Sequence, residues 1–235
     1  MWRHRSGSTS GGNRQGFTLV ELAVVLIVIG ILVGMVSVGQ RLQRNATGMA
    51  IMTGFIQGWQ GAYNAHVRQR GQVPHDTDGD GLIRANGQGC STTGTAMLND
   101  FLGAGVDLPA GQAEGANHRY VYQDSNGNPQ RLEVCFGTVS WAVRGSSVGL
   151  YVTRRRNVMV IQNVTPTLAR QIDSSVDAKL DARFGRVREA GSHNLTTQQS
   201  RPWSVDARVA HGEQQPTARD EAQVATVTVY YLMQR

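Results

Sequence analysis

A single acidic side chain interrupts the longest apolar stretch of this chain of 235 residues. Glu21 is the one ionisable residue from Phe17 to Val38, a run of 22 residues. A carboxylate at such a place costs a few kcal/mol on membrane-insertion scales, so it predicts a function and a cationic partner. Gly16 comes directly before the run and begins the segment Gly-Phe-Thr-Leu-Val-Glu-Leu.

A second group of acids has the spacing of a cation site. Three carboxylates alternate along residues 76–81: Asp76, Asp78 and Asp80. They match the first half of an EF-hand loop, in which Leu82 offers its carbonyl oxygen, but the bidentate Glu expected at position 87 is replaced by Gly87. A calcium site therefore needs a further acid, such as Asp100 or Asp107. A solvated turn is the other interpretation that the pattern leaves open.

The two cysteines, Cys90 and Cys135, follow the apolar run. An even number of cysteines in an exported region indicates one disulfide. The bridge closes a loop of about 45 residues, which stabilises the fold by roughly 4 kcal/mol on the chain-entropy model. A zinc site would need a third and a fourth ligand, and the sequence offers none that would make this pair a credible site.

The apolar run must itself form the element that positions Glu21. As a helix at about 1.5 Å per residue it spans roughly 33 Å, enough for a bilayer core. Three basic residues precede it and favour a cytoplasmic N-terminus: Arg3, Arg5 and Arg14. A cleaved secretory signal ending near Ser37-Val38-Gly39 and a plain membrane anchor are the alternatives, and Glu21 argues against both.

The segment from Gly16 to Glu21 resembles the processing signal of type IV prepilins and type II secretion pseudopilins. The resemblance implies cleavage between Gly16 and Phe17 by a prepilin peptidase, and N-methylation of the new Phe17 amine. It also implies that Glu21 pairs with the N-terminal amine of the next subunit during assembly. Many members of the family have a proline about 22 residues into the mature helix, where this chain has Val38.

Periodicity predicts that the helix continues to about residue 70. An apolar stripe recurs every three or four residues: Leu42, Ala46, Met49, Thr53, Ile56, Trp59, Tyr63 and Val67. Loops follow over 71–117, with a short helix at 95–102. Strands are expected at 118–123, 131–136, 138–144, 149–153, 157–163 and 224–232, and a helix at 166–184. The chain is predicted to be an α+β protein, with the long helix packed on an antiparallel sheet.

The predicted organisation has four parts: a cleaved leader (1–16), a transmembrane and polymerisation half-helix (17–38), an amphipathic half-helix (39–70) and an extracytoplasmic globular domain (71–235). Asp173, Asp177 and Asp181 fall on one helix face, which favours a solvated surface. Residues 73–83, 98–102 and 172–187 are loosely similar to bacterial minor prepilins. That resemblance extends the pilin-like interpretation over much of the chain.

Charge and composition argue against two classes of function, nucleic-acid binding and enzyme catalysis. The formal charge is +6, and without the first 16 residues it is 20 − 17 = +3, which does not favour nucleic-acid binding. The one basic run, 154–156, is expected to be a solvated loop. The six histidines show no metal spacing and no nucleophile motif is present, so no enzyme is expected.

We therefore expect a structural subunit, of the minor class, of a type IV pilus or a related envelope filament. A type II secretion pseudopilin is the first alternative, and a single-pass protein with a ligand- or DNA-binding ectodomain is the second. The expected partners are other pilin subunits, a prepilin peptidase and inner-membrane assembly machinery. The expected location is the inner membrane, with the C-terminal domain periplasmic, and then the filament.

Overall fold

The computed structural model describes residues 17–83, 94–111, 117–205 and 224–234. The predicted leader with Gly16, and the predicted bridge partner Cys90, lie outside these residues. Backbone contacts divide the chain into two compact units, residues 1–45 and 46–235. The polypeptide is helical without a break from Leu19 to Arg70, as the periodicity predicted.

The described part of the first unit is an apolar helix. Helix α1 (Leu19–Ala50) begins directly after Thr18 and has Glu21 in its first turn. Every large apolar side chain described from Phe17 to Met35 is at least 48% exposed. Within the part of the chain that is described, no helix meets the length and apolarity required to cross a membrane. The predicted membrane span over 17–38 thus stays a prediction.

The second unit contains the remaining elements. A π-helical segment (Ile51–Ile56) leads into α2 (Gln57–Arg70), and α3 (Gly94–Gly103) follows. The strands are β1 (Arg119–Gln123), β2 (Pro129–Arg144), β3 (Tyr151–Val164), β4 (Val187–Glu189) and β5 (Val227–Leu232). Helix α4 (Pro166–Asp177) lies between β3 and β4 in the chain. The expected α+β class is confirmed.

The five strands form one antiparallel sheet in the order β1-β2-β3-β5-β4. The strands predicted at 131–136 and 138–144 are one strand, because Gly137 pairs with Val158 and the ladder continues through it. Likewise 149–153 and 157–163 are joined in β3, so residues 154–156 lie on a strand and the expected loop was wrong. A basic run does not exclude a strand, because an Arg side chain can lay its apolar stem along the sheet while its charged end reaches solvent.

The π-helical segment changes which face of the helix is buried. Ile56, Trp59 and Tyr63 are at most 1% exposed, as predicted, whereas Met49 is 64% exposed and Ile51 is fully buried. The backbone N–H of Gln57 bonds to the carbonyl of Met52, five residues earlier. This wider spacing inserts an extra residue into the turn, so a constant helical period puts the stripe on the wrong face before Ile56.

The core of the second unit is an aromatic cluster that joins α2, α3 and the sheet. Phe101 on α3 and Phe136 on β2 both lie against Trp59, at 5.7 and 6.1 Å between ring centroids. Tyr63 stacks on Phe136 at 5.4 Å. These edge-on and stacked contacts add about 0.5–1.5 kcal/mol each to the burial of the rings. They fix the helices on the sheet despite the two glycines in α2, Gly58 and Gly61.

The three aspartates expected on a solvated helix face are instead structural. Asp173 is fully buried, and its Oδ2 accepts hydrogen bonds from the Asp181 backbone N–H (2.9 Å) and from Trp203 Nε1 (3.1 Å). Asp177 accepts the backbone N–H groups at 186 and 187. Gly185 has φ +90°, and a Cβ there would lie 2.4 Å from Asp177 Oδ2. The carboxylates therefore organise the loop after α4, and the solvated-face prediction was wrong.

Candidate functional site

The N-terminal site is a capping box at the start of α1. The backbone N–H of Thr18 donates to Glu21 Oε2 at 2.9 Å, and Thr18 Oγ1 donates to the same oxygen at 3.0 Å. The Glu21 backbone N–H in turn donates to Thr18 Oγ1 at 3.2 Å. Free amide groups at a helix start require such partners, and a Thr-x-x-Glu pattern provides them reciprocally.

The box determines how the Glu21 carboxylate is presented. Both bonds from Thr18 reach Oε2, and Oε1 accepts no hydrogen bond from the described residues. Phe17, directly before the box, is 84% exposed. One carboxylate oxygen thus orders the first turn and the other faces outward among exposed apolar side chains. This arrangement suits a cation delivered from outside the helix.

The Asp76 loop converges as the sequence predicted. Asp76, Asp78 and Asp80 each offer an oxygen, and the three atoms lie within 4.8 Å of one another. Asp76 also caps its own loop, since Oδ1 accepts the Gly79 N–H (2.7 Å) and Oδ2 accepts the Gly81 N–H (2.9 Å). Both glycines have φ near +75°, which favours glycine at these positions.

Two further residues of the predicted calcium set make contacts of their own. Leu82 is 7% exposed, and its backbone N–H donates to Asp80 Oδ1 at 2.8 Å. Asp100 accepts the backbone N–H of His75 at 2.9 Å and lies 3.5 Å from His66 Nε2. Asp100 therefore fastens the loop to α2 and α3, and among the described residues the convergent group contains three acids only.

The loop is anchored on the sheet by a buried polar pair that the sequence did not reveal. Asn157 on β3 is 2% exposed and lies opposite Thr138 on β2, with 2.6 Å between its Oδ1 and Thr138 Oγ1. Its Nδ2 donates to the Gly81 carbonyl at 2.8 Å, and the Ile83 N–H donates to Thr138 Oγ1 at 2.9 Å. The contacts are distant in sequence, so no local pattern could indicate them.

Cys135 lies within β2 and is 5% exposed. Its Sγ is 3.9 Å from the carbonyl oxygen of Val160 on β3. Cys90 falls outside the described residues, so the Cys90–Cys135 disulfide stays a prediction.

Thr18 is the site residue that the sequence reasoning missed. The signal was present, because Thr18-x-x-Glu21 before an apolar run is a capping-box pattern. The charge of Glu21 alone does not reveal it, because the role of Thr18 depends on backbone hydrogen bonds at the helix start. The structure brings Phe17, Thr18 and Glu21 together at one helix start.

Comparison with known proteins identifies this helix start. Residues 11–37 match the family model of the prokaryotic N-terminal methylation motif, which confirms the predicted prepilin-type signal. The match covers Gly16, Phe17 and Glu21 and supports a precursor of the type IV pilin or pseudopilin kind. A search of curated proteins found no match, and neither did a search of solved structures.

Proposed function

We propose that this chain is the precursor of a minor structural subunit of a type IV pilus or a related envelope filament. The observation that carries the proposal is the match to the methylation motif over 11–37. Glu21 belongs to this motif and lies in the first turn of the apolar helix α1. Removal of 16 residues leaves 235 − 16 = 219, a long subunit with irregular loops, which favours the minor class.

The chemistry of assembly follows from the capping box. Cleavage after Gly16 turns the Phe17 backbone nitrogen into an amine next to Thr18. A carboxylate surrounded by packed apolar helices costs several kcal/mol unless a cation pairs with it. Glu21 Oε1 of one subunit is the acceptor we assign to the Phe17 amine of its neighbour. The pairing fixes the axial register of the filament, because any other register leaves both charges unpaired.

The same proposal fixes the location and partners. The basic leader and the apolar run favour insertion into the inner membrane with the N-terminus cytoplasmic and the second unit periplasmic. A prepilin peptidase on the cytoplasmic side, inner-membrane assembly machinery and other pilin subunits are the partners. A pseudopilin of a type II secretion system shares this signal, and a membrane protein with a ligand- or DNA-binding ectodomain is the alternative outside the superfamily.

The processing test is a Gly16→Leu substitution in cells that contain a prepilin peptidase. We expect the precursor to accumulate about 16 residues longer than the mature form, measured by intact mass, together with loss of the methyl group. A product of normal mature mass would exclude prepilin processing. The matched control is Gly30→Leu, which lies within the helix and leaves the cleavage site unchanged.

The assembly test is Glu21→Ala compared with wild type. We expect the variant to be processed and to insert in the membrane, and to be absent from sheared filaments by mass spectrometry. A plain anchor would tolerate the change. Recovery of the wild-type chain from surface filaments supports the pilus, and recovery only with a secretion system supports the pseudopilin.

We also propose that the Asp76 loop binds calcium weakly. The convergence of three carboxylate oxygens within 4.8 Å supports this, because such a group repels itself without a cation or donors. Asp76 already accepts two backbone N–H groups, and the EF-hand Glu is missing at 87. An incomplete ligand set of this kind fits an affinity of about 10⁻⁴–10⁻³ M, the range of extracellular modules.

A further inference from the structure

Strand β3 has an edge that no other strand covers along part of its length. β2 pairs with β3 from Tyr151 onward, whereas β5 pairs with it only from Val158 onward. The last bond on the β5 side is donated by the Met233 N–H to the carbonyl oxygen of Asn157. Within the described ranges, residues 151–156 therefore form an open edge on that side.

Strand alternation identifies the backbone groups on this edge. In an antiparallel strand the N–H and C=O of one residue point to the same side, and successive residues alternate. Because the carbonyl of Asn157 faces β5, the groups of Arg155 and Thr153 face the same side. No backbone hydrogen bond reaches these groups from the residues that the structure describes. They form a row of donors and acceptors with the spacing of a strand.

Positive charge is concentrated along the same edge. Arg154 and Arg155 are exposed and Arg156 is partly buried. No carboxylate of the described residues lies within ion-pair distance of any of them. Arg155 shares a face with Thr153, and the other two arginines lie on the opposite face. The edge therefore presents cations above and below its free backbone groups.

The Asp76 loop is anchored beside this edge, at Asn157. The Asn157 Nδ2 donates to the Gly81 carbonyl, which follows Asp80 directly. Asn157, Arg155 and Thr153 share one face of β3, so the acidic loop lies on the same face as Arg155. Arg154 and Arg156 lie on the opposite face, which presents arginines to an incoming acidic segment.

We propose that this edge binds an extended acidic segment of another polypeptide, which adds a strand to β3 at 153–155 and sets alternating carboxylates against the arginines. The backbone N–H and C=O groups of an extended peptide can hydrogen-bond to a free strand edge. Its alternate side chains then contact the charged residues beside that edge. A single-stranded nucleic acid fits less well, because no aromatic side chain interleaves the arginines for bases to stack on. The site lies on the second unit and does not depend on the filament role.

The competing explanation is that the arginines protect the edge. Charged side chains on edge strands commonly prevent strand addition. A protective edge rejects every extended peptide, whereas a binding edge selects acidic ones. Charge selectivity together with dependence on the peptide backbone therefore separates the two.

The test uses the full chain in detergent micelles and a fluorescent peptide, Thr-Glu-Val-Glu-Thr, followed by fluorescence polarisation. We expect saturable binding that the Lys-for-Glu peptide does not show, and loss of binding when alternate backbone amides of the peptide are N-methylated. The double variant Arg154→Glu with Arg155→Glu should weaken binding at least about tenfold. Arg131→Glu, an exposed strand arginine elsewhere on the sheet, should not weaken it.

Hydrogen exchange supplies a second measurement. We expect the bound Glu peptide to slow exchange of the Thr153 and Arg155 amides and to leave β1 unchanged. Equal binding of both peptides, no effect of N-methylation, no protection at 153–155, or tighter binding of an oligothymidylate would each overturn the proposal. Absence of any peptide binding would assign the arginines to edge protection and would overturn it as well.

Discussion

Several functional side chains of this protein also form hydrogen bonds that stabilise the backbone. Glu21 completes a capping box with Thr18 and keeps its second oxygen outward. Asp173 is a buried carboxyl whose Oδ1 has no hydrogen-bond partner among the residues that the structure describes. In both residues one carboxylate oxygen stabilises a turn. The free energy cost of the charged carboxylate then depends on whether the other oxygen finds a partner.

Replacing Thr18 by Val should fray the start of α1. The change removes both hydroxyl bonds of the box, which costs about 1 kcal/mol and raises exchange of the Glu21 amide about fivefold. Hydrogen exchange in micelles measures this. Thr18→Ser keeps the hydroxyl and should match wild type, so equal exchange in the Val and Ser variants would contradict the role of the box.

Asp173 should make the fold more stable in mild acid. Burial raises the pKa of Asp173 to about 6 from an ordinary 3.8. The negative charges of Asp177 and Asp181 add to this rise, whereas the hydrogen bonds from Asp181 and Trp203 oppose it. The folded chain then binds the proton more tightly than the unfolded chain. The stabilising contribution is complete below about pH 4 and is lost as pH rises to about 6, a change of about 3 kcal/mol.

The Asp173→Asn variant checks this prediction. The amide keeps an acceptor oxygen for Trp203 and stays neutral, so the pH dependence from this group should disappear between pH 4 and pH 6.5. Urea unfolding at several pH values measures it, and the variant should exceed wild type in stability near neutral pH. Asp107→Asn changes an exposed aspartate and should retain the wild-type slope. A wild-type slope in Asp173→Asn would refute the assignment.

At the scale of elements, polar groups hold irregular segments on regular ones. Asn157 and Thr138 fasten the Asp76 loop to β2 and β3, and Asp100 fastens the same loop to α3. The π-helical segment fits the helix to the core in a comparable way, because Ile51 and Phe55 are buried there. The loop is therefore held in shape by its neighbours before any ion binds.

Calcium should stabilise the second unit through this loop. We expect the melting temperature to rise in 5–10 mM CaCl₂, an estimate set by the weak range of about 10⁻³ M, and to rise less in MgCl₂. Asp78→Asn with Asp80→Asn should remove the shift while Asp76 keeps its backbone contacts. Asp107→Asn is the control, because Asp107 is not in the convergent group of three acids. A shift that persists in the double variant would show that the ion binds elsewhere.

At the scale of the whole molecule, stability depends on tying long loops to one sheet. The aromatic cluster around Phe101 and Phe136 joins α2, α3 and β2. Cys135 lies on β2 within this core, at the place where a bridge to Cys90 would restrain the intervening chain. The predicted disulfide would then restrain this region by a covalent link, and the aromatic cluster restrains it by packing.

Reduction should therefore lower stability by roughly 4 kcal/mol, the value of a loop of about 45 residues on the chain-entropy model. Urea unfolding with and without dithiothreitol measures the difference, and a gel without reductant checks the bridge. The variant Cys90→Ser with Cys135→Ser should unfold like the reduced wild type and show no response to reductant. An unchanged midpoint in reduced wild-type protein would contradict the bridge.

Local patterns in the sequence determined the helix from Leu19 to Arg70, the α+β class and the signal around Gly16, Phe17 and Glu21. Each depends on neighbours within about five residues, through periodicity or a short motif. The convergence of Asp76, Asp78 and Asp80 was predictable for the same reason.

Tertiary structure decided what those patterns could not. The burial of Asp173, the continuity of β3 through its arginines and the anchoring of the loop by Asn157 all depend on residues far apart in the chain. The π-helical segment likewise follows from which face the core accepts. Sequence alone therefore determined the chemistry of the N-terminal signal, whereas packing decided which polar groups are buried, because burial is set by the partners that folding brings into contact.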